Sequence, residues 1–215
     1  MPVVRPLFLM LVTALTVSHV GATELTRAQA LRAIEQPEDG ARLAGMQRLG
    51  QVGTMADAER LLKHMSDAAE PVREAAQSAL LEIWHHSGDP AIDQLLAKGV
   101  QQMQAQALDD ALATFDLIVR RKPDFAEGWN KRATVYFLLG RGDESLKDCD
   151  EVLKRNRNHF GALSGAGQIH LQQGNAERAL EFFRRALDIN PNLQGPAQII
   201  PILEQHLRDK ARNTV

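Results

Sequence analysis

Apolar side chains recur at intervals of three and four along nearly the whole chain beyond its first two dozen residues, and no stretch alternates as a strand does. That period belongs to amphipathic helices. In the first half it predicts helices over 27–35, 40–50, 55–66 and 71–86. Turn residues separate them, among them Gly53-Thr54 and Gly88-Asp89-Pro90. In the second half the helices come in pairs, broken at Gly140 and Gly174.

The pairs repeat. Gly99, Ala133 and Gly167 stand 34 residues apart, as do Ala111, Ser145 and Ala179. Leu112, Leu146 and Leu180 keep the same spacing, and so do Phe115, Cys149 and Phe183. Pro123 and Pro191 are 68 apart, two periods. Where two helices cross, a small side chain lets their backbones approach. The Gly/Ala register on the first helices and the Ala/Ser register on the second therefore read as crossing points. Phe115 and Phe183 are expected to fill space towards the next unit, with Cys149 a smaller filler in the same register.

These residues resemble the tetratricopeptide repeat. The middle unit carries Trp129, Ala133 and Tyr136, then Gly140, Asp143-Glu144 and Ser145-Leu146. The third carries Gly167, Gly174, Ala179-Leu180, Phe183, Ala186 and Asn190-Pro191, and the first Gly99, Asp109-Asp110-Ala111-Leu112, Phe115 and Pro123. The resemblance covers about residues 91–193. It departs from the pattern at Gln106, where the interhelical glycine is usual, at Arg157-Asn158 in place of a closing proline, and at His170 in place of an aromatic.

Residues 38–98 hold a second likeness, on two units of imperfect period. Ala41-Arg42-Leu43-Ala44-Gly45 with Leu49 recurs as Val72-Arg73-Glu74-Ala75-Ala76 with Leu80, and the stretch from Pro71 resembles a HEAT-like repeat. A helix over 91–104 would then serve both arrays, making one continuous solenoid. After Pro191 the pattern stops: Pro196 and Pro201 are expected to interrupt any fourth unit, and 202–213 reads as one helix covering the last apolar face. The expected fold is all-α, a right-handed α-solenoid of antiparallel helix pairs. Its parts are HEAT-like helices over 23–90, three tetratricopeptide repeats over 91–193, and a C-terminal capping helix and tail over 194–215.

The first residues fall outside that fold. Arg5 precedes an apolar run from Leu7 to Val17, and Val20-Gly21-Ala22 closes it. A charged start, a short apolar core and small residues describe a secretory signal peptide over 1–22. About a dozen apolar residues fall short of the roughly 20 that span a bilayer. The expectation is export: periplasmic if the source is a Gram-negative bacterium, otherwise secreted.

Composition narrows the function. The chain has 25 Lys and Arg against 27 Asp and Glu, a net charge of −2, which gives no basic footprint for nucleic acid. Its single cysteine can form neither an internal disulfide nor a cysteine-rich zinc site, and its place in a repeat register favours burial. Asp109-Asp110 and His85-His86 are adjacent on helices and so diverge. The pairs His64/Asp67 and His206/Asp209 read as surface contacts, and His159 and His170 have no such neighbour. No phosphate loop, nucleophile elbow or metal-ligand spacing is present, so neither enzyme activity nor a cofactor or metal is expected.

Recognition by shape remains. What the resemblance implies is a concave surface lined by first helices: Leu96, Val100 and Met103, then Glu127, Asn130, Lys131, Thr134 and Phe137, then Ser164, Gln168 and Leu171. Family members that clamp a C-terminal carboxylate use Lys, Asn and Arg at set places. Here Gly161 and Gly165 stand where cations are needed, so an apolar segment held by a few amide hydrogen bonds fits better. The expected function is an exported, non-enzymatic scaffold or adaptor whose partner is a protein or peptide, with no membrane span in the mature chain. The alternative is a self-associating structural part, or an assembly factor, of an envelope complex. Oligomeric state is left open.

Overall fold

The computed structural model describes residues 24–213; the expected signal peptide lies outside the described residues, apart from which every described element is helical. Among the described residues eleven α-helices run in order. The N-terminal body holds α1 (Arg27–Ala33), α2 (Asp39–Val52), α3 (Ala58–Lys63) and α4 (Glu70–His85), with single 3-10 turns on either side of α3. Its start is set locally. Thr26 caps α1 in a reciprocal capping box with Gln29, and Pro71 sits in the first turn of α4, where its missing N–H costs nothing. Met46, Leu49, Leu61, Val72 and Leu80 are fully buried between these helices.

Three helix pairs follow: α5 (Pro90–Gln104) with α6 (Leu108–Arg121), α7 (Ala126–Leu138) with α8 (Gly142–Arg155), and α9 (Phe160–Gln172) with α10 (Ala176–Ile189). The repeat registers explain the pairing. Ala111, Ser145 and Ala179 are all buried, and the Ser145 hydroxyl donates to the Ala133 carbonyl at 2.7 Å across the α7–α8 crossing. The aromatic register also packs within each pair. A Cβ added at Gly99 would meet the Phe115 ring at 2.5 Å, and one at Gly167 the Phe183 ring at 2.7 Å. Each phenylalanine thus fills the space above the glycine of its own pair, in a buried cluster that also takes in the next unit: Val135 for Phe115 and Leu203 for Phe183. In the middle repeat both sizes change together: Ala133 replaces glycine and Cys149 replaces phenylalanine, within one buried cluster.

The turns between paired helices share one geometry. The N–H of Arg141 bonds the Tyr136 carbonyl and that of Asn175 the His170 carbonyl, both at 2.8 Å, and Ala107 to Gln102 repeats the pattern at 2.9 Å. Gly140 and Gly174 take the left-handed conformation this closure needs, at φ 73° and 76°. Gln106 takes it too, at φ 58°.

Two expectations are corrected. The terminal helix α11 (Gln194–Asn213) begins before both prolines and contains Pro201. Pro196 falls in its first turn, where no hydrogen bond is lost. Ile199, Ile200, Leu203 and Leu207 pack on the last pair and hold the helix together across Pro201. The N-terminal body, moreover, does not lead linearly into the array. Helix α5 pairs with α6, while α4 packs against α7. Trp84 near the end of α4 stacks on His159 with ring centroids 4.6 Å apart, and Gln77 and the Met65 carbonyl accept from Asn190 and Asn192 at 2.8 Å. These partners sit at the starts of α7 and α9 and in the α10–α11 turn. The body therefore lies along the edge where the repeats' first helices begin.

Candidate functional site

Helices α7 and α9 are neighbours in the array, and a slot of about 160 Å³ opens between them. Its walls are Asn130, Thr134 and Phe137 from α7 and Gln168 from α9, with Cys149 of α8 also lining it. Two local choices open it. Gly161 and Gly165 of α9 line the slot without side chains, and a Cβ at Gly165 would meet only the Cys149 sulfur, at 3.9 Å. Cys149 is itself smaller than the phenylalanine of the other two repeats. A cavity of about 150 Å³ is enough for one aromatic or branched apolar side chain. Burial pushes the Cys149 thiol up to about 12, so it lines the slot as an apolar atom and not as a nucleophile.

Polar groups at the mouth are anchored from beneath. Asn130 donates to Glu127 Oε2 at 3.1 Å, and the Thr134 hydroxyl donates to the Asn130 carbonyl at 3.0 Å. Glu127 is only 3% exposed. His159 donates to it from Nε2 at 3.0 Å, because His159 Nδ1 accepts the backbone N–H of Ala162. Lys131 and His85 hold the other oxygen at 2.9 and 3.1 Å. Burial would raise this carboxyl, but the hydrogen bonds from His159 and His85 and the Lys131 charge outweigh it and hold it below the usual carboxylate range. The knot joins three elements: His85 from α4, Glu127 and Lys131 from α7, and His159 at the start of α9.

The expected lining residues thus part ways. Asn130, Thr134, Phe137 and Gln168 line the slot. Glu127 and Lys131 are committed to the knot behind it, so Glu127 is not open to a partner. Leu96 is buried in the core of the first pair, with Val100 and Met103 packed on it. Leu171 packs towards the last pair and α11. Ser164 lies outside the slot, its hydroxyl buried without a partner among the described residues. His159, read in the sequence as lacking a neighbour, is one of the most committed side chains in the molecule; its partner stands 32 residues away, beyond the reach of helical spacing. His85 likewise finds its carboxylate in another domain of the sequence. No group of three or more His, Cys, Asp or Glu among the described residues could hold a metal ion. No helix among them is long and apolar enough to cross a membrane.

Fold and slot together define a helical-repeat protein with an apolar, amide-rimmed recess between the first helices of successive pairs. Comparison with known proteins agrees. The tetratricopeptide-repeat family model matches residues 124–192. A TPR repeat-containing protein of Rhizobium etli is 35% identical over 145 residues, 67% of this chain and 67% of that one. The chain belongs to the tetratricopeptide-repeat family. DnaJ homolog subfamily C member 3 of Homo sapiens is 29% identical over 127 residues, and the match spans 57% of this chain but only 25% of that relative. Among solved structures, the first TPR of Spaghetti (RPAP3) bound to an HSP90 peptide superposes with a TM-score of 0.53 at 22% identity, over 54% of this chain and 93% of that one.

Proposed function

We propose that this chain is a non-enzymatic adaptor, exported by the leader at its start, that holds an apolar side chain of an extended protein segment between α7 and α9. The observation that carries this reading is the slot itself, sized for one side chain and rimmed by the amides of Asn130 and Gln168 and the hydroxyl of Thr134. Rim amides suit the backbone of a segment whose side chain enters the recess. A structural relative that carries a bound peptide supports a peptide as the ligand class. Reading α1–α4 as HEAT-like belongs to the same proposal; its support is the recurrence of the Ala41–Leu49 passage at Val72–Leu80, on helices that pack against each other.

Gly165→Leu tests it. The new side chain enters open space, and leucine favours the helix by close to 1 kcal/mol over glycine. Melting should therefore hold or rise. A photocrosslinker placed at Thr134 should yield protein adducts in the native compartment, and Gly165→Leu should abolish them. Adducts that persist in the filled variant would show that the slot is not the binding site. Export is checked by N-terminal sequencing of the protein recovered from cells, which should begin at Thr23.

A further inference from the structure

A groove of about 700 Å³ lies between α2 and α4 in the N-terminal body, and no residue of α7 or α9 lines it. Its bed is apolar, from Leu43, Met46 and Gly50 of α2 and Ala75 and Ala79 of α4. The two helices approach closely at this bed: a Cβ added at Gly50 would meet the Ala79 Cα at 3.4 Å. A valley between two packed helices accepts the side-chain ridge of a third. Along one rim stand Glu74, Ser78 and Glu82, four residues apart on α4 and all exposed.

Charge gives the missing ridge a sign. No Lys or Arg lines the groove, and the carboxylates of Glu74 and Glu82 have no ion pair or hydrogen bond among the described residues. The three arginines of α2 and α4 are held elsewhere. Arg42 pairs with Asp39 and Asp67, Arg48 with Glu24 and the Leu25 carbonyl, and Arg73 donates to the Asp67 and Ala68 carbonyls. The imbalance extends to the whole body. Residues 24–90 carry 7 Lys and Arg against 11 Asp and Glu, a net of −4, whereas 91–215 carry 17 against 16. A surface of one sign favours a partner of the other.

We propose that the α2–α4 groove docks a basic amphipathic helix of a partner protein. Its apolar stripe lies on Leu43, Met46, Ala75 and Ala79, and two of its cations meet Glu74 and Glu82. Those carboxylates are eight helical residues apart, about 12 Å along α4, so the matching cations stand about two turns apart on the partner. This is recognition of a helix in a groove, with the apolar face giving affinity and the flanking charges giving register. It does not rest on the slot between α7 and α9.

The probe is a labelled, amidated peptide of Leu, Ala and Lys, about 18 residues long, with leucines on one helical face and flanking lysines two turns apart. Its twin carries Glu in place of every Lys. Fluorescence anisotropy should show saturable binding of the lysine peptide, with the twin bound about tenfold more weakly. Glu74→Lys with Glu82→Lys should weaken the lysine peptide about tenfold and favour the twin instead. Ser78→Trp, which fills the groove from an exposed position, should abolish binding of the lysine peptide. Neither variant should shift melting. A lysine peptide that fails to bind the parent overturns the proposal, as does one whose binding survives both variants. Equal binding of the two peptides to the parent overturns it too, because the rim carboxylates would then select nothing. So does a dimer in sedimentation that Ser78→Trp dissolves, since the groove would then belong to a second copy of this chain.

Discussion

Gln106 holds a left-handed backbone, φ 58°, that the other two repeats give to glycine. A side chain in that region costs on the order of 1–2 kcal/mol. Gln106→Gly should therefore stabilise the protein by about 1 kcal/mol after glycine's own entropic cost, read as a higher denaturant midpoint. The strain was legible in the sequence, since the 34-residue register places Gln106 level with Gly140 and Gly174. His159 was not legible. Its two ring nitrogens are fixed by Ala162 and by Glu127, and the second partner is brought up by the stacking of α7 beside α9. Trp129 shows the same limit: its repeat position reads as core, yet it is only half-buried, lying between the guanidinium groups of Arg132 and Arg155 at 4.9 and 4.7 Å.

At the scale of the helix pair, packing rests on matched sizes: Gly99 under Phe115, Ala133 with Cys149, Gly167 under Phe183. Gly167→Ala would push a methyl to within 2.7 Å of the Phe183 ring. Overpacking of this kind costs roughly 1–3 kcal/mol, more than the helix gains from losing a glycine. The expected outcome is a lower melting temperature for Gly167→Ala and a restored one for Gly167→Ala with Phe183→Leu; equal melting of the single variant and the parent would refute this account. The spacing showed which positions are small. That each glycine lies under the phenylalanine of its own pair is decided by how the two helices pack, which spacing does not encode. In the middle pair, cysteine in place of phenylalanine leaves room for the slot.

Across the whole molecule, the N-terminal body is joined to the repeats by Trp84 on His159 and Phe160, by the Glu127 knot, and by the Asn190 and Asn192 bonds. Glu127→Ala leaves Lys131 and two histidines facing an empty buried site, and should cost about 3 kcal/mol, as breaking a buried ion pair does. As expected groove residues, Glu127 and Lys131 would be replaceable without loss of stability; burial of Glu127 reverses that expectation. Acid should act through Glu127 and through two other shifted groups, His170 and Asp67. Burial and the nearby Arg178 lower His170, which is thus held neutral, so stability begins to fall as pH drops below its ordinary 6.5. The Glu127 carboxyl is held below its ordinary 4.5, and that of Asp67, hydrogen-bonded by Arg42, is brought from 3.8 to about 2. Carboxyls with depressed values contribute stability that is present above their unfolded values and lost as pH falls towards the folded ones. Urea midpoints should therefore decline in two stages, and Glu127→Ala should flatten the lower one. Local physics written along the chain was enough to determine the helices, their 34-residue pairing, the glycine turns and the family, because period, small registers and turn residues act between near neighbours. The tertiary structure alone decided where the N-terminal body lies, which first-helix residues face the slot, and which charges are buried. Those outcomes depend on side chains tens of residues apart meeting with particular volumes and donor directions, and no spacing along a helix records that.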